Sequence, residues 1–180
     1  IDGLPYVCGA GRSLAKRLSK NHWESFSKHF PIPAMEDDTF RDVDGWNSSD
    51  IYLVGSTGGA KRHMGGAGEV WHFDGHSAKR LAIPPCGPLH AVCCASDGLV
   101  YVAGEGEVLC GRGDAWSRVA LSNLADGIKD MVWFEDRVWC TGSSGKHQIY
   151  EGVFGAADLP AEGKFAHHMT VAHGTMLLAG

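Results

Sequence analysis

Hydrophobic positions along this chain fall in short runs, each closed by a glycine and flanked by polar turn residues. Val100-Tyr101-Val102-Ala103-Gly104 is one such run. It is echoed by Pro5-Tyr6-Val7-Cys8-Gly9, Ile51-Tyr52-Leu53-Val54-Gly55, Val138-Trp139-Cys140-Thr141-Gly142 and Met176-Leu177-Leu178-Ala179-Gly180. Runs of this length, rich in β-branched and aromatic residues, read as strands; an amphipathic helix needs a longer stretch with a 3.6-residue period. The closing glycines stand at 9, 55, 104, 142 and 180, at spacings of 46, 49, 38 and 38 residues. Asp-Gly precedes the run at Asp2-Gly3 and Asp97-Gly98, and this pair favours tight turns.

The segment after the closing glycine repeats too. Gly66-Ala67-Gly68-Glu69-Val70 matches Gly104-Glu105-Gly106-Glu107-Val108. A third strand of each unit is expected at 79–83 and 116–121, and a fourth at 89–94 and 128–133. A sheet so small cannot bury both of its faces, so it needs neighbours stacked on either side. Together these features predict an all-β fold, a β-propeller-like array of antiparallel blades in one domain, with about three full and two partial blades. The units fall at approximately 1–43, 44–88, 89–127, 128–166 and 167–180, and the insertion at 56–65 departs from the repeat.

The repeat resembles that of bacterial propeller proteins whose blades carry a DG-x-x-Y-x-x-G-x-x-G core and a closing Trp, here at Trp23 and Trp116. Its glycines and aromatics specify architecture and not activity. Among those proteins, the resemblance extends to propellers from toxin-rich bacterial gene neighbourhoods, which implies an immunity or accessory role. A propeller hosts many functions, so the function itself has to be argued from a site.

Composition narrows the classes. The net charge of −5 argues against a dedicated nucleic-acid binder, and no apolar stretch is long enough for a membrane helix. The six cysteines (Cys8, Cys86, Cys93, Cys94, Cys110 and Cys140) include no C-x-x-C pair, and four of them sit in strand-like runs. They read as reduced, mostly buried thiols, which implies a cytoplasmic setting and no zinc site. The chain opens at Ile1 and closes at Gly180 inside an apolar run. It therefore reads as a piece of a longer protein, with its end blades covered by another copy, a partner or a companion fragment.

Each motif with a chemical reading also has a plainer one. Gly9-Ala10-Gly11 and Gly104-Glu105-Gly106 lack the third small residue of a dinucleotide fingerprint, since Leu14 and Leu109 stand there. Gly142-Ser143-Ser144-Gly145-Lys146 fails as a phosphate loop at Cys140 and His147. Arg112-Gly113-Asp114 falls where the repeat expects a turn. No cofactor is expected. His72, Asp74 and His76 are weak metal candidates, because Asp74-Gly75 is also an expected turn. The basic, aromatic segment 12–30 reads as a solvated outer strand pair. The acidic stretch around Glu36, Asp37 and Asp38, continuing to Asp42, reads as a rim contact.

These features lead to a non-enzymatic protein-binding propeller, with neutralising or escorting a toxin as its expected role. Asp37, Asp38, Asp42, Trp46, Arg112 and Asp114 are its candidate contacts, and acidic loops would speed association with a basic partner. The alternative is a propeller enzyme of lyase or glycosidase type, with a channel site near His72 or His147.

Overall fold

The computed structural model describes residues 1–31, 38–58, 66–121, 127–142, 147–150, 154–157 and 168–179. Among these residues seventeen strands form five antiparallel sheets, and no α-helix occurs. The first sheet contains β1 (Tyr6–Gly9), β2 (Ser13–Ser19) and β3 (His22–Ser25). The second contains β4 (Thr39–Asn47), β5 (Asp50–Thr57), β6 (Ala67–Phe73) and β7 (Ala78–Arg80). The third contains β8 (Leu89–Cys94), β9 (Val100–Gly104), β10 (Glu107–Arg112) and β11 (Ala115–Leu121). The fourth contains β12 (Ile128–Phe134), β13 (Arg137–Gly142), β14 (His147–Tyr150) and β15 (Phe154–Ala156), and the last β16 (His168–Ala172) and β17 (Thr175–Ala179). The architecture is all-β, as the glycine-closed runs require.

Those runs lie on β1, β5, β9, β13 and β17. In each four-stranded sheet they form the second strand and not the first. The segments at 89–94 and 128–133, expected as closing strands, pair forward instead as first strands of the next sheets. The reason is local. Asp97-Gly98 and Glu135-Asp136 make short turns directly behind them, and a short turn pairs the strands it joins. Gly98 has φ +85°, a conformation open to glycine at little steric cost.

The recurring aromatic on the second strand is held at its polar end. The Tyr101 hydroxyl donates to Asp97 Oδ2 at 2.9 Å, while Asp97 Oδ1 accepts the Leu99 N–H at 2.8 Å. Trp139 Nε1 donates to the Phe134 carbonyl at 3.1 Å. Tyr52 meets Trp46 edge to face, with ring centroids 5.9 Å apart. In all three sheets the aromatic thus ties the second strand to the residues that lead into it, and its ring is buried.

Two compact units divide the chain, 1–89 and 90–180. In the first, Leu14, Phe30, Phe40, Ile51, Leu53, Trp71 and Phe73 form a core against which Tyr6 and Cys8 pack. In the second, Tyr101, Ala103 and Cys110 of the third sheet pack on Ile128, Met131, Val138 and Cys140 of the fourth. Both cores result from strand alternation, which sends every second apolar side chain to the same face.

All six cysteines are thiols. Burial pushes the Cys8 thiol up to about 12 and raises Cys140 as well, each with a nearby aspartate adding to the effect. Thiol titration of the unfolded, unreduced protein is expected to count six. In the folded protein Cys140 should be among the slowest to react, because the thiolate is the reactive form. A count below six in the unfolded protein would contradict this.

Candidate functional site

Antiparallel meanders place alternate turns at the same end of a sheet, and in the third sheet one such end holds the candidate contacts Arg112 and Asp114. In the third sheet, the turn 95–99 and the turn 113–114 lie together: Arg112 Nη1 donates to the Gly98 carbonyl at 3.2 Å. Arg112, Gly113 and Asp114 are exposed, and Leu99 beside them is 39% exposed. Trp116 Nε1 donates to the Gly113 carbonyl at 2.9 Å and so braces the turn from within. The result is a firmly held tip with a cation, a carboxylate and an apolar side chain facing water.

The second sheet has a corresponding end. Asp2 Oδ2 accepts the Ser48 N–H at 2.7 Å, which pins the first residues of the chain to the β4–β5 turn and lowers the Asp2 carboxyl below its usual range. Asp74 accepts the N–H groups of His76 and Ser77 at 2.8 and 2.7 Å, and the Ser77 hydroxyl at 2.8 Å. Those bonds depress its carboxyl to about 2. His72 Nε2 lies 2.9 Å from Asp50 Oδ1, and its ring leans on Tyr52 with centroids 4.9 Å apart. The three metal candidates are thus engaged separately: His72 with Asp50, Asp74 with its own turn, and His76 through its backbone N–H with Asp74. Among the described residues, no group of three or more His, Cys, Asp or Glu side chains is placed to hold a metal ion.

The acidic stretch divides. Asp37 lies outside the described residues. Asp42, half-buried on β4, accepts the N–H of Val43 at 2.8 Å. Trp46 is half-buried against Tyr52. Asp38, expected at the rim, is only 3% exposed. It belongs to a buried ionic cluster that sequence reasoning missed.

That cluster centres on Arg12. Its Nε and Nη2 donate to the two carboxylate oxygens of Glu69 at 3.1 Å each, a two-pronged pairing, and Nη2 also donates to Asp38 Oδ2 at 3.1 Å. The guanidinium lies 5.2 Å over the Trp71 ring. Arg80 Nε stands 3.8 Å from Glu69. Asp38 Oδ1 accepts the Gly58 N–H at 2.9 Å, and the Asp38 carbonyl accepts the Gly11 N–H at 3.1 Å. Four segments are therefore joined at one point: the β1–β2 turn, the entry to β4, the exit from β5, and β6. The local sequence groups Arg12 with a solvated basic face, but it is 7% exposed. The available signal was Glu69, a lone carboxylate ahead of the apolar run Val70-Trp71, which needs a cation if the strand is buried.

No known family profile matches the chain. A curated relative, the immune protein Tsi7 of Pseudomonas aeruginosa strain PAO1, is 27% identical over 180 residues, covering 98% of this chain and 56% of the relative. The chain thus spans little more than half the length of that relative. Among solved structures, virginiamycin B lyase from Staphylococcus aureus superposes with a TM-score of 0.66 at 11% identity, covering 94% of this chain and 56% of the lyase. A catalytically inactive variant of that lyase with quinupristin matches equally, with a TM-score of 0.66 at 11% identity over the same shares. Likeness at that level of identity speaks to the propeller-like fold alone.

Proposed function

We propose that this chain is a toxin-immunity protein that acts by binding a toxin directly and without catalysis. The observation that carries the reading is the similarity to an immune protein along 98% of the chain. The turn ends supply a physical basis. Short turns braced by hydrogen bonds offer a preorganised surface, so little conformational entropy is lost on docking. We assign the contacts to Asp42, Trp46, Arg112 and Asp114, with Asp37 as a further acidic candidate. Asp38 does not belong to that set, because Arg12 and Gly58 already engage its carboxylate. The partner is a protein with a basic surface, and cytoplasmic residence of the immunity protein is part of the proposal.

The test is protection. A candidate toxic protein from the source cell is expressed in a bacterial host with and without this chain, and survival is read together with co-purification. The expected result is survival only with the chain present and elution of the two as a stoichiometric complex. The pair Arg112→Ala and Asp114→Ala should weaken the complex at least tenfold without changing the thermal midpoint. Protection without a complex would overturn direct binding and favour the enzymatic alternative.

A further inference from the structure

Trp46 sits at a break in the register of the second sheet. β4 and β5 pair Gly45 with Ile51 and then Asn47 with Asp50, so Trp46 is an extra residue on β4. A bulge of this kind re-aims the side chain it carries. The fourth sheet shows that the fold does not require it. There β12 and β13 pair Trp133 with Val138 and Phe134 with Arg137 without interruption, and Phe134 still meets Trp139, with ring centroids 6.3 Å apart.

Behind Trp46 the rings continue across the sheet. Tyr52 on β5 takes the Trp46 ring edge to face, and His72 on β6 lies directly opposite Tyr52, with centroids 4.9 Å apart. Opposite the recurring aromatic of the other sheets stand Cys110 in the third and Ile149 in the fourth. A thiol or an aliphatic side chain therefore satisfies the architecture at this place. His72 adds a hydrogen bond of 2.9 Å between Nε2 and Asp50 Oδ1, and since the carboxylate accepts, Nε2 is the donor. Both side chains are mostly covered, at 28% and 19% exposure. Asp50 opens β5 directly after the β4–β5 turn, so the bond ties β6 to the strand end beside Trp46. The residues five before the closing glycine in the third and fourth sheets are Leu99 and Arg137. Neither Leu99 with Cys110 nor Arg137 with Ile149 can form such a bond.

We infer that His72 is a positioning residue: its bond to Asp50 steadies Tyr52 from behind and so holds Trp46, aimed by the bulge, in one orientation as the aromatic anchor of the first unit's docking surface. The inference rests on the direct-binding reading given above. A tryptophan supplies a large contact area, and fixing its ring before docking removes an ordering cost that the complex would otherwise bear.

The test uses the chain labelled with fluorotryptophan, whose six tryptophans give six fluorine resonances, with Trp46→Phe assigning one of them. In the free chain, His72→Leu and Asp50→Ala should each shift and broaden the Trp46 resonance and leave those of Trp116, Trp133 and Trp139 in place. Two variants are used in case one loses its wild-type thermal midpoint. Asp50→Asn should keep the wild-type signal, since its side-chain oxygen still accepts from His72. Against the partner captured in the protection experiment, Trp46→Ala should weaken the complex about thirtyfold and His72→Leu about fivefold, the latter through faster dissociation. An unmoved Trp46 resonance in folded His72→Leu or Asp50→Ala would overturn the positioning role. Wild-type affinity in Trp46→Ala would overturn the anchor role. If the wild-type chain forms no complex, direct binding falls and the anchor role with it, while the free-chain spectra still decide whether His72 positions Trp46.

Discussion

Arg12→Met is expected to destabilise the first unit by about 3–5 kcal/mol, the usual loss when one partner of a buried ion pair is removed. The size comes from what remains, not from the bonds lost. Glu69 is fully buried, and with Arg12 gone the cation that remains beside it among the described residues is Arg80 at 3.8 Å, itself half exposed. A carboxylate without a close cation in that setting faces the full cost of desolvation. Asp38 would lose its guanidinium as well, loosening its hold on Gly58 and Gly11. Replacing Glu69 with Gln and Asp38 with Asn in the same chain should recover part of the loss, since the orphaned charges are removed with the cation. Urea unfolding of the three proteins measures this. A loss below about 1 kcal/mol, the range of exposed ion pairs, would show that water reaches the cluster.

Gly55→Ala is the second large effect. An added Cβ at Gly55 would lie 1.9 Å from the Thr39 carbonyl oxygen and 2.9 Å from its carbon, so β4 and β5 would have to separate. Backbone atoms cannot swing aside as a side-chain tip can, and overpacking costs typically about 1–3 kcal/mol and sometimes more. We expect a loss at or above the top of that range, with the β4–β5 pairing Phe40↔Gly55 disrupted first. Gly155→Ala is the control, because a Cβ there meets nothing within 4 Å, and its effect should stay within about 0.5 kcal/mol. Thermal unfolding of the two variants side by side tests the point. Equal midpoints would mean that the closing glycine of the run is not sterically required.

Gly55 also explains why the repeat was readable at all. In that run the closing glycine admits the neighbouring strand's backbone, a local steric demand that leaves its mark in the residue type. The aromatic three positions earlier is likewise local, tied in two cases to the residues just before its strand, at Asp97 and Phe134. Period-two alternation and Asp-Gly turns need only adjacent residues. Local patterning was therefore enough to specify an all-β chain of short antiparallel sheets, and where the glycine-closed strand of each would lie.

Other features depended on residues far apart in the chain. Nothing near Arg12 marks it as buried; Glu69, 57 residues away, and Asp38, 26 residues away, make it so. The same pairing draws Asp38 out of an acidic stretch that otherwise reads as rim. Whether 89–94 closes one unit or opens the next was decided by which hydrogen-bonding partner lay one turn away. Val7 and Leu53 hold the same place in the same pattern, yet one is half exposed and the other sealed. Alternation assigns a side chain to a face of its sheet, but what lies against that face is set by the packing of whole sheets, because burial belongs to pairs of surfaces and not to single strands.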